Sequence, residues 1–209
     1  MSVTRSKSQP QRIETSGGSA DELGDEAVLN SRKLAVICSQ KCPGDVILKT
    51  YDFARLVRGS GIAIVSGFHS PIEKDCLPIL LRGPGSVIIV QAHRLSTTRL
   101  PMAWQKAIDS QRLLLLSPFG EKNKRVTAEL AAERNRFVAA ISDEVLIPYA
   151  APGSKTEALA LQVIASGKPL YTFSAALADR GGALITPGRF CAQAPQRATA
   201  SPPFAKESV

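Results

Sequence analysis

The stretch Leu34-Ala35-Val36-Ile37-Cys38, then Pro43-Gly44-Asp45, then Ile62-Ala63-Ile64-Val65-Ser66-Gly67 reads as strand, helix, strand. A run of four or five apolar residues without alternation is what a strand buried on both faces needs. Pro43-Gly44 breaks the first strand, and Asp45 is expected to cap the helix that follows. The helix runs to about Arg58, with Val46, Leu48, Phe53, Leu56 and Val57 on or near its apolar face. Gly59 and Gly61 end it.

The same alternation continues outward. Pro71 suits the first turn of a helix that ends near Arg82. Ser86 to Val90 is a third strand, Met102 to Ser110 a helix, and Leu113 to Leu116 a fourth strand. Thr127 caps the longest helix, with Leu130, Ala131, Phe137, Val138 and Ile141 at helical spacing. Glu144 to Ile147 is a fifth strand. Gly153 and Ser154 open a helix that ends at Gly167, and Pro169 to Phe173 is a sixth strand. Short apolar strands alternating with helices predict an α/β domain with a mostly parallel sheet over residues 33–173. Residues 1–31 are rich in Ser, Gly, Thr, Glu and Asp and are expected to be a disordered arm. Residues 174–209 turn rich in Ala, Gly, Pro and Arg and are expected to be a disordered tail.

The 209 residues suit one domain plus tails, and 44% hydrophobic content excludes a wholly disordered chain. No apolar run approaches the roughly 18 to 20 residues of a membrane span. No signal-peptide core precedes Asn30, so a cytoplasmic location is expected. The net charge is +8. Residues 33–173 hold most of the excess, with 18 bases against 11 acids. A basic folded domain favours polyanions. The cysteines are Cys38, Cys42, Cys76 and Cys191 and the histidines His69 and His93. They do not form a zinc-ligand pattern, so neither metal nor cofactor is expected. Cys38 and Cys76 read as small buried side chains.

In a parallel sheet, ligands bind beyond the carboxyl ends of the strands. Those ends carry Ser39-Gln40-Lys41, Ser66-Gly67-Phe68-His69-Ser70, Gln91-Ala92-His93-Arg94, Ser117-Pro118-Phe119 and Pro148 to Ser154. The set has hydroxyls and bases but no paired carboxylates for acid–base work. No Gly-x-Ser-x-Gly elbow surrounds a serine, which argues against a hydrolase triad. Ala151-Pro152-Gly153-Ser154-Lys155-Thr156 lies between strand and helix, where free amides and a positive partial charge suit a phosphate. It lacks Walker A spacing, and an ordinary capped turn is the plain alternative. Arg134-Asn135-Arg136 follows Lys122, Lys124 and Arg125. Arg134 and Arg136 are two apart and cannot share one helix face. One is free to meet an anion while the other packs inside.

Several of these segments together resemble the DprA/Smf DNA-processing family. Arg134 to Ile147 is similar to that family's Arg-Asn-Arg-Ile-Ile-Ala-x-Leu-Ser helix and the strand after it. Gly153-Ser154 with Thr156 resembles its Ser-Gly-Ser-x-x-Thr turn, one residue shorter. Ile62 to Gly67 resembles its Val-Val-Ser-Gly strand, and Lys33 to Ser39 its first strand. The resemblance spans residues 33–173. It implies an extended Rossmann-like, three-layer domain, related to the LOG group of cytokinin-activating proteins. It also implies single-stranded DNA binding without catalysis, delivery to a RecA-type recombinase in recombination or natural transformation, and self-association as a homodimer. The family's Gly-Ser-Arg stands here as Cys38-Ser39-Gln40, with Lys41 next. Its Ser-Gly-x-Ala-Arg-Gly-Ile-Asp stands as Ser66 to Glu73, with Ser70 for the Arg and Glu73 for the Asp.

The expected phosphate or nucleic-acid contacts are therefore Ser39, Lys41, Ser66, Gly67, Arg94, Lys122, Lys124, Arg134, Asn135, Arg136, Gly153, Ser154, Lys155 and Thr156. Phe68 or Phe119 is a candidate platform for base stacking. The alternative is a small-nucleotide-binding or sensing module. A LOG-like phosphoribohydrolase is disfavoured, because that group's Pro-Gly-Gly-x-Gly-Thr-x-x-Glu is only partly echoed at Pro152 to Thr156. Leu159 stands where its Glu would be.

Overall fold

The computed structural model describes residues 10–95, 100–120 and 125–193, with side chains up to Phe190. The elements in order are β1 (Gln11–Thr15), β2 (Gly18–Gly24), a 3-10 turn (Glu26–Asn30), β3 (Lys33–Val36), α1 (Gly44–Val57), β4 (Ala63–Ser66), α2 (Pro71–Leu81), β5 (Val87–Val90), α3 (Met102–Asp109), β6 (Leu113–Ser117), α4 (Ala128–Ile141), β7 (Glu144–Leu146), α5 (Lys155–Ala165), β8 (Leu170–Thr172), α6 (Ala175–Ala178), β9 (Ala183–Leu184) and α7 (Pro187–Gln193). The nine strands form one sheet in the order β1-β2-β6-β5-β4-β3-β7-β8-β9. Every pairing from β6 to β9 is parallel. The β1–β2 and β2–β6 pairs are antiparallel.

The apolar runs are buried because both sheet faces are covered. Leu34, Ile64, Val87, Ile89, Leu113 and Leu115 face a core that includes Phe53 of α1, Leu77 of α2 and Ile108 of α3. Their neighbours Ala35, Val65, Ile88, Val90, Leu114 and Leu116 face the opposite core, with Val138 of α4 and Ala160 of α5. The period of two along each strand sends alternate side chains to the two helical layers. This is a three-layer Rossmann-like domain, and all six expected strands lie in its sheet. Among the described residues no helix is long and apolar enough to cross a membrane.

Both flanks correct the expected boundaries. Residues 10–31, expected within a disordered arm, form a hairpin whose second strand pairs with β6, Asp21 opposite Ser117 and Leu23 opposite Leu115. Only Ala20, Leu23 and Val28 of this segment are fully buried apolar side chains, too few to give a periodic signal. The backbone ladder to β6 does the ordering instead. At Gly24, φ is +131° and a Cβ would overlap the Leu113 carbonyl, so this close approach requires glycine. At the other end, residues 174–193, expected within the disordered tail, hold α6, β9 and α7. Leu177 and Phe190 are their buried anchors. The Phe190 ring meets Tyr171 edge-on at 5.1 Å and Phe53 at 5.4 Å. Residues 1–9 and 194–209 of the expected arm and tail lie outside the described residues.

Candidate functional site

The strand order reverses between β3 and β7, since connections run one way from β3 to β4, β5 and β6, and the other way from β7 to β8 and β9. Such a switch point leaves a crevice beyond the strand ends. Here a cavity of about 510 Å³ opens there, walled by the β3 end, the α2 N-terminus, α4 and the α5 N-terminus. Ser39 and Ser154 span the crevice. The Ser39 hydroxyl accepts the Ala151 amide at 2.9 Å and lies 3.4 Å from the Ser154 hydroxyl. Ser154 is the α5 N-cap and accepts the Glu157 amide at 3.1 Å.

Of the expected contact residues, Ser39, Lys41, Arg134, Asn135, Ser154, Lys155 and Thr156 line this cavity. Gly153 stands just before it, but its amide donates to Glu157 Oε2 at 2.7 Å. The first-turn amides of α5 at Lys155 and Thr156 are the ones a helix start presents to an anion. Arg136 faces a neighbouring groove of about 300 Å³ between α4 and α5, which Asn135 and Lys155 also line. Lys155 Nζ is 3.9 Å from Glu129 and 3.3 Å from the Ala128 carbonyl. Lys155 therefore stands where the two hollows meet.

The two arginines part as their spacing requires. Arg136 is exposed, whereas Arg134 is buried. The Arg134 Nε donates to Asn135 Oδ1 at 2.8 Å and Nη1 to the Val90 carbonyl at 3.5 Å. Its guanidinium lies against Gly67, where a Cβ would overlap it. Burial lowers the Arg134 pKa, and the Glu73 carboxylate opposes that shift. Arg134 thus pins α4 to the ends of β4 and β5 and presents charge from inside the wall.

Other expected positions fall elsewhere. Ser66 is buried and its hydroxyl accepts the Phe68 amide at 3.1 Å. Ser117 does the same for Phe119 at 3.1 Å and donates to the His93 carbonyl at 2.7 Å. These two serine turns direct Phe68 and Phe119 inward. Both rings are buried, which corrects the expectation that either stacks on a base. Ser66, Gly67 and the half-buried Arg94 stand outside the cavity wall. Lys122 and Lys124 lie outside the described residues.

His69, one of the strand-end residues, lines the cavity, and so does Glu73, which sequence reasoning missed as a wall residue. Glu73 is buried. Its Oε1 accepts the Cys38 amide at 2.8 Å, and its Oε2 accepts the His69 amide at 2.9 Å and the Ser70 amide at 3.4 Å. The signal was present, since Ser70-x-x-Glu73 is a capping box. Only the fold adds Cys38 as a third, distant donor.

Burial lowers the His69 pKa below its ordinary 6.5, with Arg134 and then Lys74 adding to the shift and Glu73 opposing it. The imidazole is therefore neutral at pH 7. As pH falls below 6.5, the unfolded chain takes up this proton before the folded one, so folding stability declines in that window. His69→Gln removes that part of the decline. Urea melts of both proteins between pH 7.5 and 5 measure the difference.

These features define a class: a Rossmann-like α/β domain with a polar pocket at its switch point. The family model described as DNA recombination-mediator protein A matches residues 22–188, and the chain belongs to that family of DNA-processing proteins. Among solved structures it is similar to DNA processing protein A (DprA) from Helicobacter pylori, whose structure concerns a single-stranded DNA binding mode. The TM-score is 0.70 at 22% identity, over 88% of this chain and 94% of that one. It is also similar to DprA from Streptococcus pneumoniae, with TM-score 0.66 and 20% identity over 83% of this chain. There it spans 65% of the solved chain, just under two thirds. The molybdenum cofactor carrier protein of Chlamydomonas reinhardtii shares the fold at TM-score 0.51 and 14% identity, over 77% of this chain and 94% of that one. At such identities the structural likeness establishes the fold. No curated protein matches the chain in sequence.

Proposed function

We propose that the chain binds single-stranded DNA at the switch-point pocket and acts by binding rather than by catalysis. The observation that carries this is the convergence of Lys41, Lys155 and the α5 first turn on one crevice with Ser39, Ser154 and Thr156. Hydroxyls, helix-start amides and cations together suit a phosphate. Arg136 in the adjoining groove extends the cationic path along α4 and α5. The nearby carboxylates are committed to structure. Glu73 holds three backbone amides, and Glu157 holds the Gly153 amide and an ion pair with Arg180 at 3.2 Å. Among the described wall residues this leaves no uncommitted carboxylate, and the His69 imidazole is the remaining group that can take a proton. The family likeness extends the reading to recombination or natural transformation in the cytoplasm, with hand-over to a RecA-type recombinase and a homodimer. Pull-down with a recombinase and light scattering test those two parts.

Fluorescence anisotropy with labelled oligo-dT across a salt series tests the binding. Each phosphate engaged adds about 0.7 to the steepness of log affinity against log salt for a single strand. Lys41→Ala and Lys155→Ala each remove roughly one such increment. Absence of affinity at low salt defeats the reading.

A second reading rests on size. The cavity of about 510 Å³ falls within the roughly 300 to 1,000 Å³ of small-ligand pockets. A mononucleotide that raises the melting temperature, without any oligonucleotide affinity, favours a small-nucleotide module.

A further inference from the structure

β1 ends the sheet, and among the described residues the strand it pairs with is β2 alone. An end strand leaves one row of backbone groups unpaired, a template for another strand. Which residues carry that row follows from the hairpin. The turn Ser16-Gly17 has two residues, so Thr15 and Gly18 are the closing pair that exchanges both ladder bonds. Alternation makes Ile13 with Ala20, and Gln11 with Glu22, the next such pairs. The N–H and C=O groups of Arg12 and Glu14 therefore point outward. These two residues carry opposite charges. The Arg12 side chain is half-exposed and lies 2.9 Å from Asp21 of β2. Glu14 is exposed and makes no ion pair with a described residue.

We propose that β1 is a self-association surface whose partner is β1 of a second copy of this chain, antiparallel about a two-fold axis through Ile13. The proposal rests on the homodimer part of the reading above and gives it a place. Charges on an edge strand ordinarily discourage pairing. Their order here selects one register instead. Three two-fold registers bring the outward groups of Arg12 and Glu14 face to face. Centred on Arg12 or on Glu14, the pairing sets like charges directly opposite, which destabilises it. Centred on Ile13, it sets Arg12 opposite Glu14 of the second copy, twice by symmetry. These are the residues whose N–H and C=O groups point outward, so each pair exchanges two ladder bonds. Each Arg12 then lies between Asp21 of its own β2 and Glu14 of the second copy, a row of alternating charge across three strands. Ile13, packed against the core on the α4 side, meets its own copy in the closer, non-hydrogen-bonded kind of pair. The contact is isologous and closes at two copies. Four strands, β2, β6, β5 and β4, separate β1 from β3, so this interface leaves the switch-point pocket open.

Sedimentation velocity of the full chain over a concentration series tests this. Glu14→Arg keeps the Arg12–Asp21 pair and should weaken the dimer at least ~10-fold, because two attractive cross-strand pairs become repulsive. Arg12→Glu should weaken it too. Mixing the two variants should restore a dimer, since each like-charged edge then meets its opposite. Ile13→Cys reads the register. A non-hydrogen-bonded antiparallel pair holds its Cα atoms about 4.5 Å apart, within disulfide reach. After mild oxidation, mass spectrometry should find tryptic peptide 13–32 linked to its own copy. Thr15→Cys, on the same face but two residues from the axis, should give no such link. A dimer that Glu14→Arg leaves unchanged, without the Ile13→Cys link, overturns the proposal and moves the homodimer to another surface. A chain that stays monomeric overturns both. Neither outcome depends on oligo-dT affinity, so the binding reading stands or fails separately.

Discussion

Glu73→Ala should lower the melting temperature by roughly 10 °C, the size of change that about 3 to 5 kcal/mol produces in a domain of this length. The carboxylate is buried and accepts the Cys38, His69 and Ser70 amides. Hydrogen bonds to a charged acceptor contribute about 1.5 to 3 kcal/mol each, and a buried donor left without a partner costs about 1 to 3. Cys38 ends β3, while His69 and Ser70 lead into α2. The substitution therefore loosens a strand end and a helix start at once. It also removes the carboxylate that favours the charge of the buried Arg134. Glu73→Gln keeps the volume but turns an amide donor toward backbone donors, so its loss should lie between wild type and Ala. Differential scanning calorimetry of the three proteins checks the order. A Glu73→Ala protein as stable as wild type would show that the Glu73 carboxylate does not hold the β3 end to the start of α2.

Gly67→Ala should destabilise by about 2 kcal/mol, within the range for overpacking a tight contact. The three atoms nearest the new methyl group all belong to one side chain. They are atoms of the Arg134 guanidinium, which must leave its place beside Val90 and swing into the cavity. Arg134→Ala alone should also destabilise, by losing the Asn135 and Val90 contacts and its packing. The two changes are coupled, because removing the guanidinium makes room for the methyl group. In a double-mutant cycle the pair should cost less than the sum of its parts by about 1 kcal/mol or more. Strict additivity would mean that Arg134 does not occupy the space above Gly67. Oligonucleotide affinity separates the two roles of Arg134. Gly67→Ala moves the charge toward the pocket while Arg134→Ala deletes it, so only the second should reduce the salt dependence.

The parallel sheet was legible because its strands are buried on both faces. Leu113-Leu114-Leu115-Leu116 cannot be an exposed edge, and the helical spacing between such runs leaves few architectures. The serines after the strands were legible as strand-end residues, but their roles were not. Ser39 bridges the switch point, whereas Ser66 and Ser117 close local turns. The difference lies in which strand is the neighbour, β7 for Ser39, and strand order is a long-range property. The same limit explains Phe68 and Phe119. An aromatic residue at a strand end suits stacking until a serine turn directs it into the core.

By itself the sequence determined the α/β class, the six parallel strands, the helix caps at Thr127 and Ser154, and the separation of Arg134 from Arg136. Each follows from local periodicity or a local hydrogen bond. Tertiary structure alone decided that β2 pairs with β6, that Phe190 anchors α7 on Phe53, and that Glu73 reaches the Cys38 amide. It alone decided that Ser39 and Ser154, 115 positions apart, share one crevice. Those outcomes rest on backbone ladders and side-chain contacts between distant segments. A ladder hydrogen bond uses groups that every residue carries, so it leaves little trace in the side chains from which a sequence is read.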